Sequence, residues 1–405
     1  MNNLPKDWKI VQLKDIFERV TRKNEENNSN ALTISAQQGL INQKEYFNKI
    51  VASKDLSNYY LLHNGEFAYN KSYSAGYPMG VIKRLDRYDK GVLSTLYICF
   101  RINSNQVSTD YVLEYFSAGN FDKEISTIAQ EGARNHGLLN VGVKDFFNLQ
   151  MILPPHEEQK KIADILSTID KKIAFVEENI NVTEELKKGL MQKLLTEGIG
   201  HTEFKDSELG RIPKSWEIDI LNNLSKVTDS LHMTPEFEEE GFPMVRVADI
   251  KNGKLNLSNA LKVSKEMYEL FTKSYIPKKK DIVLSRVGSY GVSSFVDTEE
   301  PFCMGQNTVI INPKIDSFYL YSILNSEEIK KQIENLSYGS GYKSLSLKNI
   351  RELKIKLPPL EEQKQIAEIL STVDNKLENL KEKKQSFEEL KKGLMQKLLT
   401  GEVRV

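Results

Sequence analysis

Cysteine is nearly absent. A chain of 405 residues carries two, Cys99 and Cys303, too few for a disulfide framework or a thiolate metal site. Both are expected as small buried hydrophobes in strands. Charge of either sign is not in excess: 56 basic residues face 56 acidic ones. Composition therefore shows no general footprint of nucleic-acid binding, and any such patch has to be local. No stretch approaches the roughly 18 apolar residues of a membrane span. The opening MNNLPKDWKI lacks the apolar core of a secretory signal, and the expected compartment is the cytoplasm. The five histidines, His63, His136, His156, His201 and His232, show no metal-ligand spacing. There is no GxxxxGK(S/T) phosphate loop, no GxSxG elbow and no glycine-rich turn for a methyl-donor cofactor. The chain is read as non-catalytic, with no metal and no cofactor of its own.

What is present is a long internal repeat. LPPHEEQKKIADILSTIDKKIAFVEENINVTEELKKGLMQKLLT, Leu153 to Thr196, returns as LPPLEEQKQIAEILSTVDNKLENLKEKKQSFEELKKGLMQKLLT, Leu357 to Thr400. Without a gap, roughly 29 of the 44 positions are identical. Pro154-Pro155 and Pro358-Pro359 can only precede a helix or open it. The acidic pairs Glu157-Glu158 and Glu361-Glu362 suit the positive end of its dipole. Apolar residues then step by four and three: Ile162, Leu166, Ile169, Ile173, Val176 and Ile180, and again Ile366, Leu370, Val373, Leu377 and Leu380. That is a coiled-coil seam, and it weakens at Lys187 and Lys391. A bare seam needs only its apolar positions matched. Here EELKKGLMQKLLT is copied with its outward lysines and glutamines, while the segments between the helices have diverged. Both outer surfaces are therefore expected to fit the same partner.

The rest of the chain is doubled too. Pro5-Lys6-Asp7-Trp8 with Leu13 is echoed by Pro213-Lys214-Ser215-Trp216 with Leu221, and the two tryptophans are expected as core anchors. In the first half, 13–20 is expected as one short helix and 24–30 as a loop. Strand-rich runs cover 65–69, 80–84 and 96–102, and helices 110–117 and 121–129. In the second half, strands are expected at 244–250, 281–287, 292–296 and 308–311, and one helix over 318–336. Alternating apolar residues from Val141 to Met151, and from Leu345 to Ile355, lead into the proline pairs. The expected division is 1–152, globular; 153–200, helix; 201–356, globular; 357–405, helix. The fold class is α+β. Two pseudo-two-fold-related domains, each a mixed sheet with short helices, are separated by two long antiparallel coiled-coil helices.

Two glycine-bounded polar loops are the candidate contact sites, because a rigid scaffold can present loops to a ligand. The first offers Arg134, Asn135 and His136; the second offers Tyr342, Lys343 and their neighbours. The strand ends at Lys71 and Tyr73, and at Arg286, Ser289 and Tyr290, are similar in kind. These side chains suit phosphates and base edges.

The opening Pro-x-x-Trp of each half, the segment Val245-Arg246-Val247-Ala248-Asp249-Ile250-x-x-Gly253 and the two Leu-Pro-Pro-x-Glu-Glu-Gln-x-x-Ile-Ala helix starts resemble the type I restriction–modification specificity subunits. The resemblance covers nearly the whole chain. It implies that each globular domain is a target-recognition domain for one half of a bipartite DNA site. It implies that the helices set the spacing and dock two methyltransferase subunits, and that a restriction translocase joins the larger complex. S-adenosylmethionine, ATP and Mg are then expected on partner subunits. The resemblance adds Arg246 to the DNA-contact candidates. The first half has Leu32 to Gly39 in its place, without the arginine and the acid, so that role is not carried across. The competing reading is a coiled-coil interaction scaffold that binds no DNA.

Overall fold

The computed structural model describes residues 4–49, 51–72, 76–119, 121–131, 139–337 and 344–405. The chain forms two compact units, Met1–Val176 with Lys383–Val405, and Glu177–Glu382. The cuts fall inside the long helices, not at the proline pairs expected as boundaries. Each helix, His156–Leu194 and Leu360–Leu398, is continuous over 39 residues and contributes part of its length to each unit. At 1.5 Å per residue it is about 58 Å long.

The first unit is built on a four-stranded antiparallel sheet, in the order Phe17–Arg19, Ile98–Ile102, Phe67–Asn70, Val81–Arg84. Its core is aromatic. Phe67 stacks on Phe100 with ring centres 5.5 Å apart, and Phe17, Phe116, Phe121 and Phe146 surround them. The second unit repeats the order with Ser225–Asp229, Thr308–Pro313, Ile282–Ser285 and Ser293–Phe295, then adds Gly253–Lys254 in parallel. In each unit the strand after the tryptophan pairs antiparallel with the strand before the proline pair: Lys9–Gln12 with Gln150–Leu153, and Glu217–Ile220 with Lys354–Leu357. A buried tyrosine staples that ladder. Tyr111 donates to the Ile152 carbonyl at 3.0 Å, and Tyr319 to the Lys356 carbonyl at 2.7 Å.

Several local expectations change. Only Leu13–Ile16 is helical; Phe17–Arg19 leaves as an edge strand, because its alternate residues pair with Ile98–Ile102. The alternating run after Val141 is the helix Val143–Asn148 followed by the strand Gln150–Leu153, and Leu347–Arg351 with Lys354–Leu357 repeats it. A short apolar run does not distinguish the two periods. The strand expected over 244–250 stops at Val245 and becomes a 3-10 turn, Val247–Asp249, where the Asp249 carboxylate caps the Arg246 N–H. The helix expected over 318–336 breaks at Asn325 into Ser317–Leu324 and Glu327–Ser337. Cys99 and Cys303 lie buried in strands, and burial pushes each thiol up to about 12.

The copied helix starts have specific partners. Trp8 donates its indole N–H to Glu158 at 3.0 Å, and Trp216 donates to Glu362 at 2.9 Å. Gln159 accepts the Ser108 N–H at 2.8 Å and donates to the Pro154 carbonyl. Gln363 does the same with the Asp316 N–H at 3.1 Å and the Pro358 carbonyl. Ser108 and Asp316 are helix N-caps, so one glutamine locks a domain helix onto each long helix. The stretch leaving the other long helix closes each hub. Arg404 grips Glu158 at 2.7 and 2.8 Å, and the Ile199 N–H and His201 reach Glu362 at 2.9 and 2.8 Å. Gly198 has φ +68°, and a Cβ there would stand 2.8 Å from the Trp216 ring.

Burial would raise the Glu158 carboxyl pKa, but Arg404 and the Trp8 indole outweigh it and hold the group below the ordinary value. A carboxyl depressed on folding stabilises fully above its unfolded pKa of about 4.3, and that stability is lost as pH falls through the folded value. The first unit is therefore expected to weaken progressively below about pH 4.3. Acid unfolding followed by the Trp8 fluorescence of a Trp216→Phe variant checks this. Glu158→Gln should remove the pH slope in that window; an unchanged slope would contradict the assignment.

The seam residues Ile162, Leu166, Ile169, Val176, Ile366, Leu370, Val373 and Leu377 are buried, and Ile173 and Leu380 are half-buried. The seam lysines are ion-paired between helices: Lys391 with Asp170 at 2.5 Å in the first unit, and Lys187 with Asp374 at 2.5 Å in the second. Within the second unit Glu184 meets Lys381, Lys187 meets Asp374, and Leu194 shares a core with Ile366. Rising numbers on one helix thus meet falling numbers on the other, and the pairing is antiparallel. Charged pairs inside an apolar seam fix register more than they add stability.

Candidate nucleic-acid interface

In both units the glycine-bounded loop returns to the end of the same sheet strand. The Leu139 N–H donates to the Lys71 carbonyl at 2.9 Å, and the Leu345 N–H donates to the Arg286 carbonyl at 2.8 Å. Lys71 follows Phe67–Asn70 and Arg286 follows Ile282–Ser285, the corresponding strands. The structure thus places a basic residue at the same strand end twice, beside a loop exit. Tyr73, Arg134, Asn135, His136, Tyr342 and Lys343 lie outside the described residues.

The two basic residues differ in their partners. Burial holds the Lys71 amine below the ordinary lysine range, and it makes no ion pair with a described residue. A phosphate near such an amine would restore the solvation it has lost. Arg286 is already engaged: its guanidinium reaches both oxygens of Asp229 at 2.8 Å and the Leu345 carbonyl at 3.1 Å. Arg246 is also engaged, to Asp249 at 3.0 and 3.2 Å, with the Phe237 ring 5.9 Å from its guanidinium. Both arginines are among the DNA-contact candidates named from the sequence. Internal carboxylates neutralise them and fix their planes, which lowers indiscriminate phosphate affinity and leaves edge atoms aimed in set directions.

Ser289 is exposed between Gly288 and Gly291, both with positive φ. Tyr290 is half-buried and packs against the hydrophobic core of its unit, so its ring holds the loop down. Three strand ends gather further polar groups here that sequence reasoning missed. His232 lies 3.4 Å from Asp229, Thr234 donates to Gln306 at 3.4 Å, and the Asn307 carbonyl accepts the Arg286 N–H at 2.9 Å. The available signal was Gly305-Gln306-Asn307, turn-forming residues between two β-rich runs.

Among the described residues no group of three or more His, Cys, Asp or Glu side chains could hold a metal ion, and no helix is long and apolar enough to cross a membrane. On the helices, the copied segment exposes the same side chains in each unit. Leu186 and Leu390 are each 50% exposed, with Lys188, Gln192 and Lys193 or Lys392, Gln396 and Lys397 beside them.

The protein-family scan matches "Type I restriction modification DNA specificity domain" twice, over residues 5–185 and 213–389. The type I restriction enzyme MjaVIII specificity subunit of Methanocaldococcus jannaschii is 31% identical over 326 residues, 78% of this chain and 75% of that protein. The putative type I restriction enzyme MjaX specificity subunit of the same organism is 29% identical over 430 residues, 100% of this chain and 96% of that protein. Among solved structures, the type I restriction–modification S subunit from M. genitalium superimposes with a TM-score of 0.62 at 16% identity, covering 98% of this chain and 97% of that one. A chain from a study of type I assembly and conformational transition gives 0.56 at 16% identity, with both chains fully covered.

Proposed function

The chain belongs to the type I restriction–modification DNA specificity family, and from that premise we propose that it is the non-catalytic, sequence-reading subunit of such a complex. Each sheet domain reads one half of a bipartite duplex site. The single observation that carries this is the doubled strand end: Lys71 and Arg286 stand at corresponding places, each tied to a loop exit, in domains whose other residues have diverged. Phosphate contacts hold each domain in register, and loop side chains read base edges.

The long helices act as spacer and as dock. Identical exposed faces around Leu186 and Leu390 suit two copies of one partner, a methyltransferase subunit. Methyl transfer from S-adenosylmethionine, and ATP- and Mg-dependent translocation and cleavage, reside on partner subunits. The restriction subunit joins as the further partner.

Co-expression with a methyltransferase subunit and methylome sequencing test the reading. The expected result is one bipartite methylated motif that vanishes without this chain, and a purified complex with two methyltransferase copies per chain. A complex that forms but methylates no split motif would leave the scaffold reading standing instead.

A further inference from the structure

Gln306 is exposed on the turn that enters the inner strand Thr308–Pro313 of the second unit. The turn is held from every side. The Gly305 N–H donates to the Val245 carbonyl at 2.8 Å, and the Thr308 hydroxyl donates to the Gly305 carbonyl at 2.6 Å. The Asn307 carbonyl accepts from the Arg286 N–H, and the Ser230 N–H reaches the Thr308 carbonyl at 3.2 Å. A Cβ at Gly305 would stand 3.1 Å from the Val245 carbonyl oxygen and 3.2 Å from the Arg246 side chain. Asn307 sits at φ +65°, the left-handed conformation that asparagine, more than other side-chain-bearing residues, tolerates in a tight turn. All this rigidity presents a side chain that accepts a long hydrogen bond, 3.4 Å, from the Thr234 hydroxyl.

A glutamine amide offers one donor and one acceptor side by side. That pattern matches the N6 donor and N7 acceptor that adenine alone presents in the major groove. The flanking arginines carry their own carboxylates, so the place favours shape and hydrogen-bond pattern over bulk charge. We propose that Gln306 is a specificity-determining residue that reads an adenine in the half-site of the second domain. The proposal rests on the DNA-reading function above and assigns one base to one side chain. The corresponding turn of the first unit, between Lys90–Leu93 and Ile98–Ile102, carries Leu96, 64% exposed. An apolar side chain there can meet a thymine methyl but forms no amide pair. The same turn thus bears different reading chemistry in the two units.

The test uses the assembled complex of this chain with its methyltransferase subunits. Binding is measured on duplexes in which each base pair of the second half-site is changed singly, for wild type, Gln306→Ala and Gln306→Glu. Gln306→Ala should lower affinity for the cognate duplex about tenfold to a hundredfold. It should also erase discrimination at one A·T pair, leaving the other positions and the first half-site as they were. Gln306→Glu, which accepts but does not donate, should disfavour that adenine further. Unchanged discrimination at every position would overturn the proposal, as would an equal loss on every duplex. A wild-type complex with no bipartite preference would overturn it together with the reading beneath it.

Discussion

Glu362→Ala is expected to destabilise the second unit by about 2 kcal/mol, the cost of stranding the buried Trp216 indole N–H. The carboxylate accepts the indole N–H of Trp216, a fully buried ring, together with the Ile199 N–H and His201. Alanine leaves the indole N–H of the buried Trp216 without its acceptor, whereas the Ile199 N–H, on an exposed residue, can turn to water. Glu361→Ala is the control: that neighbour is 80% exposed and pairs with the exposed Lys364, so its loss should stay within about 0.5 kcal/mol. Glu362→Gln retains one acceptor oxygen for the indole and should recover part of the loss. Urea unfolding in a Trp8→Phe background reads the second hub alone, since the chain has only two tryptophans. Equal midpoints for Glu361→Ala and Glu362→Ala would show that the hub is not a structural joint.

Arg286→Ala is expected to abolish recognition of one half-site while the other is still read. The guanidinium and Asp229 are less than a third exposed, at 18% and 26%. Removing the arginine takes the two-pronged cation from a half-buried carboxylate and leaves it the Ser230 N–H and the more distant His232 ring, at a cost of about 1–2 kcal/mol once partial solvation is allowed for. It also frees the Leu345 carbonyl, so the exit of the glycine-bounded loop loses its side-chain tie to the strand end. Arg286→Lys keeps the charge but not the two-pronged grip, and should restore stability more than recognition. Binding of the complex to duplexes with either half-site scrambled separates the outcomes. Equal loss at both half-sites would mean that Arg286 serves the molecule as a whole.

The doubling, the helix starts and the seam were legible in residue order. Each rests on local periodicity or on motifs within a few tens of residues. The tryptophan echo was legible as well, but its partner was not, because Trp8 and Glu158 lie 150 positions apart. The same limit governs the candidate interface. Lys71 and Arg286 could be picked as basic residues at strand ends, yet nothing local showed that Arg286 is held by Asp229, 57 residues away, while Lys71 has no described ion partner. Nothing local sets Gln306 apart either: the turn that carries it is pinned by Val245, Arg286 and Ser230, which lie elsewhere in the chain.

Residue order alone therefore determined that two unlike domains are joined by two copies of one helix, since periodicity and proline placement act over a few turns. Which polar side chains are consumed inside the fold, and which remain turned outward, was decided only by tertiary structure. The physical reason is that a hydrogen bond or ion pair joins whatever groups the packed sheets and helices bring within about 3 Å, whatever their separation along the chain.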